Sequence, residues 1–248
     1  MCSSEHASFV NGQGVMTMLG SLGLAAARGA IALAIAAVIW SVAAAVVGSP
    51  MTLPDLPTAV ARLAQLAVTF SFWSEAWLSL QRLILGYGAA MLVGIPLGLV
   101  LAEVQALRFI AGGLVNGLAG IPLLALAPFM VIWFGIGDGS KVALAFAVAV
   151  FPIMSDITSG LARSKSRETA ASPNATRWVL AALRRAFVLA VAAVLIGEMV
   201  AATHGLGYLM MTSVATFDTA TLAAVTLVVT LPCAFVVSLI RWIEETFA

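Results

Sequence analysis

The chain has 248 residues, of which 62% are hydrophobic and 9% charged, with a formal net charge of +1 and a mean hydropathy of +1.09. Soluble domains carry about 25% charged residues, so this much apolar surface cannot be hidden in one water-soluble core, and the expected solvent is lipid. A net charge this close to zero gives no reason to expect nucleic acid or an acidic substrate.

Residues 1–24 form a polar leader without an early basic run, and the apolar stretch after Arg28 is about twenty residues long, which exceeds a secretory h-region and predicts a retained membrane helix. A helix rising 1.5 Å per residue needs about 20 apolar residues to cross a hydrocarbon core of about 30 Å. Windows of that kind fall near residues 27–48, 77–102, 109–135, 141–161, 180–203 and 219–241, predicting an all-α integral membrane protein of six transmembrane helices within a domain covering 25–248. Between the first two windows, Pro50, Pro54 and Pro57 precede an amphipathic stretch from Thr58 to Val68, too short to span and expected to lie along the outer face.

In the second window Gly94 and Gly98, and in the third Gly113 and Gly117, have the small-xxx-small spacing that lets helices approach closely; they predict a compact bundle and suit a twofold partner. The third window also holds Pro122 and Pro128, each lacking a backbone donor, so the helix there is expected to break or bend. Irregular backbone at that depth is tolerated where it is buried in protein or lines a water-filled path. Pro122 and the nearby Asn116 are therefore candidates for a translocation path, the alternative being a kinked packing helix.

Near the end of the fifth window stands Glu198, a carboxylate that needs a partner inside a membrane. It is either a polar contact on the translocation path or half of an interhelical ion pair with Arg82, which falls at similar depth; the second reading has the stronger physical ground, because structural pairs also occupy such positions. Asp156 is read as a neighbour of the basic loop. The segment Thr203–Ser213 contains Gly205 and Gly207 and predicts a tight outer turn or re-entrant hairpin, with His204 as an exposed capping residue. Cys2 and Cys233 are far apart and read as lone thiols, and neither a metal-ligand spacing, a catalytic triad nor a phosphate-binding glycine loop occurs. No catalytic, metal or cofactor site is expected on this chain.

Six of the twelve basic residues lie between Arg163 and Arg185, and placing the N-terminus in the cytoplasm puts nine of the twelve on or near that side, with Arg62, Arg82 and Lys141 outside. The positive-inside tendency thus predicts cytoplasmic N- and C-termini. Trp40, Trp73, Trp77, Trp133 and Trp242 fall near window ends, where amphipathic rings settle at headgroup level.

Three strings carry a family resemblance: SLQRLILGYGAAMLVGIPLGLVLA from Ser79, GIPLLALAPFMVIWFGIG from Gly120, and GEMVAATHGLGYLM from Gly197. In that order, on corresponding segments, they resemble the permease subunits of bacterial ABC importers, in the group taking up nitrate, taurine, alkanesulfonates and thiamin or riboflavin precursors. The resemblance covers about residues 50–245. It implies a type I importer permease bundle in the inner membrane, moving a small anionic or heteroaromatic solute inward. It also implies a second permease copy, identical or not, two ATP-binding subunits that handle ATP and magnesium, and a periplasmic or lipid-anchored solute-binding protein.

The family couples to its ATPase through a cytoplasmic loop between the fourth and fifth spans, here about 162–178. Against that pattern the region from Gly160 to Glu198 is about fifteen residues short. One register keeps Glu168, Thr169 and Ala170 as the Glu-Ala-Ala remnant, beside Arg167 and followed by Asn174, Arg177 and Trp178; another aligns Pro173 with the family's first Leu-Pro proline. Three readings follow: a shortened working element, a heterodimer whose partner permease carries the coupling, or a paralogue without transport. An ion-gradient-driven secondary transporter is the alternative from a different class.

Overall fold

The computed structural model describes residue 29 and residues 31–120, 122–166 and 175–247. The chain divides into two units, residues 1–57 and 58–248. In the first, helix α1 (Ile31–Val47) is followed by a turn in which Gly48 donates to Ala44 O at 3.0 Å, and Trp40 Nε1 donates to Pro54 O at 3.0 Å. The leader, residues 1–24, lies outside the described residues.

The second unit continues with α2 (Leu56–Ala67), α3 (Phe70–Glu103), α4 (Gln105–Ala119), α5 (Leu123–Phe134), α6 (Asp138–Ser166), α7 (Ala175–Ala201), α8 (Leu206–Ala215) and α9 (Thr219–Phe247). Four helices, α3, α6, α7 and α9, are long and apolar enough to cross a membrane. The described residues thus hold four full-length spans where six were expected. The third expected span is two helices: α4 ends at Gly120, Pro122 stands before α5 with φ −61° and ψ 122°, and Pro128 lies within α5. At 1.5 Å per residue neither piece, at about 22 and 18 Å, crosses a 30 Å core alone. A proline at helix start removes a donor that would be orphaned anyway, so the break falls where its backbone cost is lowest.

The fold is organised around α6, the most buried long helix: half of its apolar window is covered, against 17–28% for the other three. It packs mainly on α3 and α7. With no hydrophobic drive between helices in lipid, close van der Waals contact has to supply the association. The buried face of α3 accordingly reads Gly86, Ala90, Gly94, Gly98 at four-residue spacing. A methyl group on Gly86 would come within 2.6 Å of Ala145 Cβ, and one on Gly94 within 3.0 Å of Ile153. The matching face of α7 is Ala182, Ala186, Ala190 and Ala193, all fully buried. Gly113 and Gly117 on α4 behave differently, because nothing in the described structure lies within 4 Å of a Cβ built on either. Of the two glycine pairs in the sequence, one is a helix contact within the chain and the other is not.

Toward the α6–α7 connection, Trp178 seats its indole on Gly160: a Cβ there would lie 2.4 Å from Trp178 Cδ2. At the corner between α8 and α9, Phe217 adopts φ 56° and Asp218 N donates to Ser213 O at 2.9 Å. The amphipathic α2 is fastened there, Arg62 Nε donating to Thr221 Oγ1 at 2.8 Å while Nη2 sits 3.5 Å from Asp218.

Candidate functional site

The α3 stripe that carries the small residues begins, at the same helical spacing, with Glu75, Ser79 and Arg82. This end of α3 meets the start of α6, the end of α7 and the start of α8, and the four elements enclose a polar cluster around Glu198. Its carboxylate, 1% exposed, accepts from Arg82 Nη1 at 2.7 Å, from Ser79 Oγ at 2.8 Å and from Gly207 N at 2.8 Å. Ser79 Oγ in turn accepts from Leu206 N at 2.8 Å, so α8 starts with its first free N–H groups satisfied by α3 and α7. Arg82 extends further: Nη1 donates to His204 O at 2.9 Å, and Nε and Nη2 lie 2.8 and 2.6 Å from Asp138 Oδ1.

Lys141 closes the cluster on the α6 side. At 1% exposure, its ammonium donates to the carbonyls of Ile136, Gly137 and Ala201. Three carbonyls, one of them at the C-terminus of α7, replace water around the charge, as a cation at a helix C-terminus does. Glu75 caps the cluster from above, receiving Gly205 N and facing His204 Nδ1 at 3.0 Å. Gly205 has φ 117°, open to glycine alone, and a Cβ there would stand 2.4 Å from the Glu198 carboxyl carbon. The Gly-Leu-Gly turn is therefore the piece of backbone thin enough to lie on the carboxylate.

The structure brings Arg82 and Glu198 together and keeps Asn116 apart from them. Asn116 is exposed on α4, its Oδ1 accepting from Ser155 Oγ on α6 at 2.6 Å. It lines a groove of about 1150 Å³ with Gln105, Arg108, Phe109, Thr158 and Ser159. Pro122 is exposed at the α4–α5 break. Of the coupling residues, Arg167, Glu168, Thr169, Ala170, Pro173 and Asn174 lie outside the described residues; Arg177 is exposed and Trp178 half-buried on α7. Sequence reasoning missed Ser79, Asp138, the half-buried Glu75 and the burial of Lys141. The helical spacing of Glu75, Ser79 and Arg82 above the glycine stripe was a usable signal; for Lys141 the carbonyls of Ile136 and Gly137 stand just before it in the chain, and the Ala201 carbonyl comes from a distant element. Among the described residues, no group of three or more His, Cys, Asp or Glu could hold a metal ion.

No family model matches the chain. It is 28% identical over 192 residues to the taurine transport system permease protein TauC of Escherichia coli, covering 69% of this chain and 70% of that protein. It is 29% identical over 198 residues to the formylaminopyrimidine transport permease protein ThiX of Halalkalibacterium halodurans, covering 73% and 78%. A riboflavin transport system permease protein of Chloroflexus aurantiacus is 28% identical over 215 residues, 77% of this chain and 80% of that one. Among solved structures, the inward-facing MetNI methionine ABC transporter matches with a TM-score of 0.55 at 16% identity, over 73% of this chain and 95% of that one, a likeness of fold.

Long apolar helices, a small-residue interior and a sealed polar cluster at one end define a multi-pass membrane protein with the bundle of a type I ABC importer permease. The chain is a homologue of the ABC transporter permeases, in the group its sequence resembles. These relatives are transport permeases by name.

Proposed function

We propose that this chain is the inner-membrane half of an ATP-driven importer, with cytoplasmic N- and C-termini, a second permease beside it and ATP-binding subunits at residues 162–178. On this reading ATP and magnesium are handled by those subunits, a binding protein delivers solute outside, and the chain itself binds no cofactor. The cargo class is a small anionic or heteroaromatic solute, from the named cargoes of its relatives. The observation that carries the proposal is mechanical. Helices α6 and α7 flank the 162–178 loop at one end and carry Lys141 and Glu198 at the other, packing together in between. A displacement at the loop can therefore be passed to the far end of the bundle along two helices packed on one another, α7 without an internal proline and α6 with Pro152.

The ion-gradient reading is less favoured because Glu198, the buried carboxylate it would use, is 1% exposed and already accepts from Arg82, Ser79 and Gly207. The test is co-purification of the tagged chain with ATPase subunits from its native membrane in mild detergent. ATPase in the eluate, lost on replacing residues 167–174 with a Gly/Ser linker, is the expected result. An eluate free of any ATPase, under conditions that hold related importers together, overturns the reading. Labelling of Lys165→Cys from outside intact cells would overturn the orientation.

A further inference from the structure

Between α6, α7 and α9 runs a groove of about 560 Å³ that no part of the transport reading uses. Its polar part carries Arg184 and Arg185 on α7 and Asp156 on α6. On both sides of the arginines along α7 the walls are apolar, with Val188, Leu189 and Val237 of α9 on one side and Trp178, Ala181 and Ala182 toward the loop on the other. Such a groove can seat a charged head at the arginines and hydrocarbon along Val188 and Leu189.

Arg185 lies about 20 Å along α7 from Glu198 at 1.5 Å per residue, about two thirds of a 30 Å hydrocarbon core, so the arginines stand well toward the end of the bundle opposite Glu198. The arginines have donors to spare. Arg185, 70% exposed, reaches Asp156 through Nη1 at 3.3 Å, and Arg184 meets Glu244 only through Nε at 3.4 Å, outside hydrogen-bonding geometry. A guanidinium has five N–H groups, so both can turn further donors toward an anion. From 160 to 190 the sequence holds six Lys or Arg and one carboxylate, Glu168, while Asp156 and Glu244 are the carboxylates that face the two arginines.

We propose that this groove binds one anionic phospholipid, its phosphate on Arg184 and Arg185 and an acyl chain along Val188, Leu189 and Val237. Basic pockets between membrane helices on the cytoplasmic side are suited to such headgroups. The choice of leaflet rests on the orientation proposed above; the site itself does not. Binding is measured on the detergent-purified, delipidated protein, so its failure is separate from failure of the ATPase co-purification.

The probes are phosphatidylglycerol, phosphatidylcholine and inorganic phosphate, titrated by native mass spectrometry. The wild-type chain should retain phosphatidylglycerol in preference to phosphatidylcholine and ignore phosphate at equal concentration. Arg185→Gln should weaken phosphatidylglycerol about fivefold, and Arg184→Gln with Arg185→Gln about thirtyfold, at roughly one surface charge's worth of attraction each. Val237→Trp keeps both charges but fills the apolar wall, and should lower phosphatidylglycerol binding as well. Equal binding of the two lipids, unchanged binding in Arg185→Gln, or competition by phosphate alone would overturn the proposal. So would variants that leave lipid binding intact and instead dissociate a second permease or an ATPase subunit, because the face would then be a protein interface.

Discussion

Replacing Arg82 by Met should damage the bundle more than replacing Glu198 by Gln, although each substitution removes one side of the same 2.7 Å ion pair. In Arg82→Met the Glu198 carboxylate stays where it is, 1% exposed, with Ser79 and Gly207 as remaining donors and no cation in contact. Leaving one charge of a buried pair uncompensated costs about 3–5 kcal/mol. In Glu198→Gln the surviving guanidinium still has Asp138 at 2.6 Å, itself 67% exposed, and the His204 carbonyl at 2.9 Å. What is lost there is one acceptor, most directly for the Gly207 N–H, at about 1–3 kcal/mol. For a chain of this size a kilocalorie moves the melting midpoint by about 2–4 °C, so the two variants should fall roughly 10 °C and 5 °C below wild type. The assay is thermal unfolding in one detergent at fixed lipid content, followed by tryptophan fluorescence. Glu198→Gln melting as low as Arg82→Met, or Arg82→Met within about 1 kcal/mol of wild type, would refute the view that the cation serves the buried carboxylate.

Gly205→Ala should be among the most harmful single-methyl changes, because it combines φ 117° with a 2.4 Å approach to Glu198; a loss of several degrees in the same melt, with Gly137→Ala near wild type because its Cβ would meet nothing, is expected. Gly94→Leu should disrupt α3 against α6 at Ile153, whereas Gly113→Leu should leave the monomer's melting unchanged, since nothing in the described structure lies within 4 Å; equal losses would contradict the packing. Asp218 is held below its ordinary carboxyl range first by the Thr221 hydroxyl, then by the Thr221 N–H and Arg62. A depressed carboxyl stabilises the folded form above its unfolded pKa and stops doing so as pH falls through its folded value, so the α2 fastening should loosen only below about pH 4. Because the Arg62–Thr221 hydrogen bond survives, the α2–α9 spin-label distance should broaden modestly, in Asp218→Asn at pH 7 and in the wild type only as pH falls below about 4, and a distance indifferent to both would count against the fastening.

Much of α3 was legible before any coordinates. Its apolar window at 77–102 was visible although the helix starts earlier, at Phe70, through the polar residues Ser74, Glu75 and Ser79, and Gly94 and Gly98 announce a close neighbour because two backbones can meet only where side chains are small. Gly113 and Gly117 have the same spacing and meet nothing among the described residues, so the pattern marks a helix face available for contact without saying which element covers it. The break at Gly120–Pro122 was legible for a covalent reason, the missing N–H of proline. The division of that span into two short helices was harder to foresee, since it depends on where each half ends against α6. Arg82 with Glu198 could be paired by depth alone. Asp138 and Lys141 could not, because Asp138 meets Arg82 from another helix and the Lys141 cage, begun by the nearby Ile136 and Gly137 carbonyls, is closed by Ala201 at the end of α7, and no sequence interval records that approach.

The seat of Trp178 on Gly160 bears on how the bundle moves. A flat ring wedged where a side chain is missing resists rotation of α6 about its own axis relative to α7, much as a pin stops two rods from rolling over one another. Near the end that leads into residues 167–174, the two helices are thus denied independent twist and left with shared translation and tilt. Any thrust applied there must be answered by both together.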